Sequence, residues 1–184
     1  GAGNDHLTSG SGSDVLDGGA GDDQLNGVDD YPGNVSGDTV YRFGPGWGKD
    51  RLFDTGSAGS IDTLEFVSGV APGDVLLRRQ TTGTEAARNL AYTTNMVVAS
   101  GADTILVLGQ DGAGAMEQVR FVDAVGVVTE TWDAARIRAE LLRPTSGNDL
   151  IVGSVAAESL VGGDGNDTLL GGGGGLYNQF DSFS

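Results

Sequence analysis

The chain has 184 residues, 33 of them glycine, and its 26 Asp and Glu against 10 Lys and Arg give a formal net charge of −16. There is no cysteine, which excludes disulfides and thiolate metal sites, and no run approaches the ~18 apolar residues of a membrane helix. Residues 1–30 and 145–184 contain acids but no Lys or Arg, whereas every basic residue lies within 31–144. A nucleic-acid partner needs basic patches and is excluded for such ends; their natural partners are cations.

From the N-terminus, residues 1–27 repeat every nine positions. Asp5, Asp14 and Asp23 keep the beat, as do Leu7, Leu16 and Leu25, with glycines at Gly1, Gly10 and Gly19 and at Gly3, Gly12 and Gly21. A flexible linker has no reason to keep an apolar beat. A short strand centred on each leucine turns that side chain inward. The six residues before it must bend sharply, which glycine permits. Such bends aim carbonyl oxygens at one point, and the aspartate adds a carboxylate. Oxygen-only donors suit a hard cation that takes six to eight ligands, and argue against zinc or copper. No signal peptide is visible, and the chain opens in mid-motif at Gly1, as a piece of a longer protein would.

Residues 28–144 lose the nine-residue period. Residues 28–37 read as an inserted loop. Asp38, Asp50 and Asp62 then stand twelve apart, each two residues before an apolar one, and Gly46, Gly48 and Asp50 keep the GxGxD core of the repeat. Residues 74–80, 88–93, 103–109 and 117–123 read as strands separated by turn residues. "TWDAARIRAELLRP" predicts a helix, with Thr131 as N-cap, Asp133 in the first turn, a buried stripe of Ala134, Ile137, Leu141 and Leu142, and Pro144 as the stop. From 145 the beat returns in Asp149, Glu158 and Asp167, with Ile151, Leu160 and Leu169. A run of glycines, Gly171–Gly175, and a tail departing from the pattern (176–184) follow.

The segments "GGAGDDQLN" (18–26) and "GGDGNDTLL" (162–170) resemble the glycine-rich nonapeptide GGxGxDxUx of the RTX (repeats-in-toxin) family. The middle, through "YRFGPGWGKD", "DTLEF", "VAPGDVLLRR", "ADTILVL", "QVRFVD" and "TWDAARI", is similar to the haemolysin-type calcium-binding-related domain. The resemblance implies an all-β chain. Parallel β-roll repeats occupy 1–27 and 145–175, around a central β-rich domain (28–144) that ends in one α-helix, extends the coil and supplies the larger core.

The resemblance also implies Ca²⁺ ions held between turns one coil, or eighteen residues, apart. One cage is Gly1, Gly3 and Asp5 with Gly18, Ala20 and Asp23. A second is Thr145, Gly147 and Asp149 with Gly162, Asp164 and Asp167. An imperfect site joins Gly10, Gly12 and Asp14 to Gly27 and Asp29, where Pro32 takes the expected aspartate position. The degenerate turn of Ser154, Ala156 and Glu158 is not expected to bind calcium. By the same resemblance the parent is a bacterial protein exported by the type I secretion machinery, whose repeats fold on meeting calcium outside the cell. The alternative is a calcium-cemented adhesive or carbohydrate-binding module with a cell-surface or glycan partner.

No catalytic constellation emerges, and the chain is not read as an enzyme. His6, the one histidine, precedes inward Leu7 and should face solvent. There is no GxSxG elbow and no complete EF-hand loop. Trp47 and Trp132 fit core packing better than sugar stacking.

Overall fold

The computed structural model describes residues 1–27, 36–54, 59–82, 91–109, 115–154, 158–171 and 182–183. In chain order the strands are β1 (His6–Thr8), β2 (Gly12–Leu16), β3 (Gln24–Gly27), β4 (Ser36–Phe43), β5 (Lys49–Asp54), β6 (Thr63–Phe66), β7 (Leu76–Thr82), β8 (Ala91–Ser100), β9 (Asp103–Leu108), β10 (Gln118–Val122) and β11 (Val128–Trp132). Helix α1 (Ala134–Leu141) comes next, then β12 (Leu150–Val152), β13 (Ser159–Leu160), β14 (Thr168–Leu170) and β15 (Ser182–Phe183). The chain is strand-rich, as its repeats imply, and no helix among the described residues is long and apolar enough to cross a membrane.

The first ten strands form a parallel roll with one antiparallel detour. Strands β1, β3, β5 and β9 pair in parallel, and their apolar beat stays in register as Leu7, Leu25, Leu52 and Val107. On the opposite wall β2, β4, β6 and β10 pair in parallel, aligning Leu16, Tyr41, Leu64 and Val119. Alternation along each strand sends these side chains inward, where all but the partly buried Leu7 are nearly or fully buried in one core. The coil therefore crosses residue 27 and runs on to residue 122. Its period lengthens on the way, from eighteen residues between Leu7 and Leu25 to twenty-seven between Leu25 and Leu52.

Antiparallel strands close the far end of the roll. β8 and β7 extend the first wall beyond β9, and β11 extends the second beyond β10. This thicker end holds the aromatic cluster. Phe43 meets Trp47 at 5.9 Å, Phe66 stacks on Phe121 at 5.4 Å, and Phe121 meets Trp132 edge-on at 5.0 Å. Both tryptophans are buried core residues.

The helix starts two residues later than the sequence suggests. Asp133 is the N-cap, its side chain accepting from the Arg136 amide at 2.8 Å, because Thr131 is taken up by β11 opposite Arg120. Ile137 and Leu141 are buried, and Ala134 and Leu142 half-buried. Of the expected strands, 74–80, 103–109 and 117–123 correspond to β7, β9 and β10. The expected strand at 88–93 gives way to the ten-residue β8 from Ala91, and residues 83–90 lie outside the described residues.

A second, smaller roll follows α1. β12 pairs in parallel with β14, setting Ile151 beside Leu169, and β13 pairs in parallel with β15, setting Leu160 beside Phe183. The tail thus contributes a strand, Ser182–Phe183, while residues 172–181 lie outside the described residues.

Candidate metal centres

The turns preceding β1, β3 and β5 stack along one edge of the roll, and register places Asp5, Asp23 and Asp50 in a column. The Asp5 amide donates to Asp23 Oδ1 at 2.8 Å, and the Asp23 amide donates to Asp50 Oδ1 at 2.8 Å. A parallel column is offset by one residue: the Asp22 amide donates to Asn4 Oδ1 at 3.0 Å, and the Lys49 amide to Asp22 Oδ1 at 3.0 Å. The turns lie so close that a Cβ on Gly21 (φ 137°) would collide with the Gly3 carbonyl. This close approach, in a backbone conformation closed to most side chains, is what glycine supplies here.

The expected N-terminal cage residues come together. The Ala20 amide donates to the Gly1 carbonyl at 2.9 Å, the Gly3 amide to the Ala20 carbonyl at 2.8 Å, and the Gly1 nitrogen to the Gly18 carbonyl at 2.5 Å. Each such carbonyl keeps a second lone pair. Asp23 is only 1% exposed, and its Oδ2, which lies directly over Gly18, accepts no hydrogen bond. A buried carboxylate oxygen without a donor is costly unless a cation meets it. Among the described residues no three His, Cys, Asp or Glu side chains converge on one point. A cation at Asp23 would therefore be held by carboxylates and main-chain oxygens together. The orphaned oxygen and the all-oxygen surroundings fit a calcium ion.

The column continues into the middle, where sequence reasoning saw a GxGxD core but assigned no ligand. Asp50 is buried, and burial pushes its carboxyl up to about 6; the hydrogen bond from the Asp23 amide opposes this, and the nearby charges of Asp23, Asp22 and Asp103 add to it. Ile105 takes the aspartate's place in β9. There Asp103 closes the stack through main-chain donors, accepting from Gly46 at 2.8 Å and Gly48 at 3.3 Å.

The opposite edge is built differently. Asp14 aligns with Thr39 across β2 and β4, twenty-five residues on rather than eighteen. Gly10 donates to Asp14 Oδ2 at 3.1 Å within its own turn. Gly27 is not brought to Gly10 and Gly12; it ends β3 against the Tyr41 hydroxyl and the Asp54 carboxylate, which are themselves hydrogen-bonded. Asp29 lies outside the described residues. Further along, the Thr39 amide donates to Asp62 Oδ1 at 2.8 Å, and the Asp62 amide to Glu117 Oε2 at 2.9 Å. Burial pushes Asp62 up to about 6, opposed by the Thr39 bond and reinforced by Asp54 and Glu117.

The C-terminal roll repeats the N-terminal bonding. The Asp149 amide donates to Asp167 Oδ1 at 2.9 Å, and the Asn166 amide to Asn148 Oδ1 at 2.8 Å. A Cβ on Gly162 would lie 2.5 Å from Asp167 Oδ2, and one on Gly163 would lie 3.1 Å from the Thr145 carbonyl. Gly165 packs in the same way against the Gly147 carbonyl, while Asp164 is exposed and its role in the expected cage is through its main chain. Glu158 caps its own turn, accepting from the Ser154 amide at 2.5 Å.

One feature had no sequence signal. Asp149 Oδ1 accepts from Arg78 Nη2 at 3.2 Å, across 71 residues, and from Thr145 Oγ1 at 2.9 Å; its Oδ2 accepts from the Thr145 amide at 2.6 Å. Burial pushes the Asp149 carboxyl up, but the Thr145 bonds and the Arg78 guanidinium outweigh it and hold it below the usual range. His6 lies on the exposed face and bonds Asn26, away from these turns.

Comparison with known families agrees with this geometry. The family model of the RTX calcium-binding nonapeptide repeat matches residues 1–30 and 144–175, in four copies. Both ends of the chain therefore carry RTX calcium-binding repeats, whose nonapeptides bind Ca²⁺. No curated protein matches the chain.

Proposed function

We propose that this calcium-binding module folds on calcium binding, as part of a larger bacterial protein exported by type I secretion. The observation that carries the reading is the buried, unpartnered Oδ2 of Asp23. The N-terminal cage is Gly1, Gly3, Asp5, Gly18, Ala20 and Asp23; the C-terminal cage is Thr145, Gly147, Asp149, Gly162, Asp164 and Asp167.

Bound calcium would supply the positive charge that the turns lack, and the turns would supply the oxygens that coordinate it. The remaining work belongs to the chain. Glycines let adjacent turns touch, main-chain amides orient the carboxylates, and the leucine beat buries little more than one large side chain per nine residues. That apolar gain is thin, so stacked carboxylates without a counter-ion keep the terminal coils expanded. Binding free energy then becomes folding free energy. A site with Kd of about 10⁻⁴ M in roughly 2 mM calcium contributes about 1.8 kcal/mol. Such a chain stays unfolded at low cytosolic calcium and closes outside the cell.

Circular dichroism with and without a chelator tests this reading. Chelation should reduce the β signal and calcium should restore it, with magnesium a poor substitute because of its tighter octahedral demand. A spectrum indifferent to calcium would overturn it.

A further inference from the structure

Asp5 and Asp149 occupy equivalent places, each donating its amide to the aspartate eighteen residues on. Their carboxylates differ. The Asp5 side chain is 47% exposed, and among the described residues no Lys or Arg pairs with it. The Asp149 side chain is 7% exposed, and both its oxygens already accept hydrogen bonds, one of them from Arg78. Arg78 is itself held in place. Its side chain is 17% exposed, its Nη1 donates to the Leu77 carbonyl at 2.9 Å, and Leu77 is fully buried in the core. The segment entering the second roll is tied to the same region, Arg143 Nη2 donating to the Val75 carbonyl at 3.0 Å.

We propose that Arg78 is an intramolecular competitor of calcium at Asp149, so that the C-terminal cage fills only at higher calcium than the N-terminal cage. The proposal rests on the reading of Asp149 as a calcium ligand. The guanidinium occupies Asp149 Oδ1 and places a fixed positive charge beside the cage. A dication using that carboxylate must displace the guanidinium or bear its repulsion. Linkage makes the effect reciprocal: calcium at Asp149 weakens the tie between the second roll and β7 to the same degree. Arg78 is a positioning residue that acts through Asp149.

The test is a calcium titration of the full chain as wild type, Arg78→Gln and Arg78→Lys, followed by amide NMR shifts in 1–27 and 145–170. In the wild type, 1–27 should respond at lower calcium than 145–170. Arg78→Gln should tighten the C-terminal midpoint at least about fivefold, within the usual range of intersite coupling, and leave the N-terminal midpoint in place. Arg78→Lys keeps the charge and should retain the weaker midpoint, which a purely steric role for Arg78 does not predict. An unchanged or weaker C-terminal midpoint in Arg78→Gln overturns the competitor role while leaving the calcium reading standing. A C-terminal segment that ignores calcium in all three proteins overturns both.

Discussion

At Asp23 a buried carboxylate oxygen meets neither a hydrogen-bond donor nor an arginine, whereas at Asp149 both oxygens are satisfied and Arg78 supplies the opposite charge. The same contrast runs through the rest of the fold. Buried Glu65 lies between Arg42 at 2.7 Å and Arg120 at 2.5 Å, and buried Glu140 between Arg136 and Arg143, each at 2.7 Å. Burial pushes the Glu65 carboxyl up, but these arginine bonds outweigh it and hold it below its usual range. Among the described residues, no Lys or Arg forms an ion pair with Asp23, Asp50 or Asp62. The molecule thus balances buried negative charge in two ways. At Glu65 and Glu140, where two arginines do it, the local structure is complete as it stands. At Asp23, where nothing in the chain does it, the calcium ion of the proposed cage would.

The contrast breaks first at Asp23. Asp23→Ala should weaken calcium binding at the N-terminal cage by roughly 100-fold or more, since even partners outside the ligand shell typically cost 10–100-fold. Calorimetry reads this directly. Asp17→Ala is the matched control: Asp17 is exposed beyond the end of β2, and its loss should leave calcium affinity unchanged and stability within about 0.5 kcal/mol. Equal losses at the two positions would mean that the turn register is wrong.

Acidity sharpens the comparison next. Asp50 and Asp62 are raised from 3.8 to about 6, so the folded chain binds protons more tightly than the unfolded chain. Calcium-free stability should therefore rise as the pH falls from 7 to 5, by about 2 kcal/mol for the pair, and the gain is complete below the unfolded pKa. Glu65 and Asp149 act in the opposite sense. Their carboxyls are lowered from 4.5 and 3.8, so the stability they contribute is lost only in more acidic solution. Thermal melts of the chelated protein at the two pH values check the sign, and saturating calcium should abolish the gain at Asp50 by favouring its ionised form.

A smaller effect separates the two equivalent aspartates. Asp149→Asn strands Arg78 and should cost about 1–2 kcal/mol in calcium-free stability, less than the 3–5 kcal/mol of a fully buried pair because Arg78 is partly exposed. Asp5→Asn should cost under about 0.5 kcal/mol, its side chain being half-exposed. Urea unfolding in chelator compares them.

The terminal turns were legible in the sequence because every nonapeptide restates the same two demands, an inward apolar residue and a bend that only glycine makes easily. Gly46, Gly48 and Asp50 carried that statement into the middle, and Asp50 does join the column. What stayed hidden depends on coil length and on distance. Asp14 lies beside Thr39, twenty-five residues on, where an eighteen-residue count points to Pro32. Thr131 looked like a helix cap because nothing local signals that β10 recruits it into β11. The Arg78–Asp149 pair joins a sheet strand to a turn 71 residues away, and although Asp149 lies on the nine-residue beat, nothing periodic marks Arg78 as its partner.

The central claim is that the Asp23 carboxylate is finished by a cation. Crystals grown in ample calcium, with anomalous diffraction recorded, test it most directly. The account predicts a strong peak in contact with Asp23 Oδ2, between the turns of residues 1–5 and 18–23. A well-ordered Asp23 whose Oδ2 faces no peak, or only a water molecule, would contradict it.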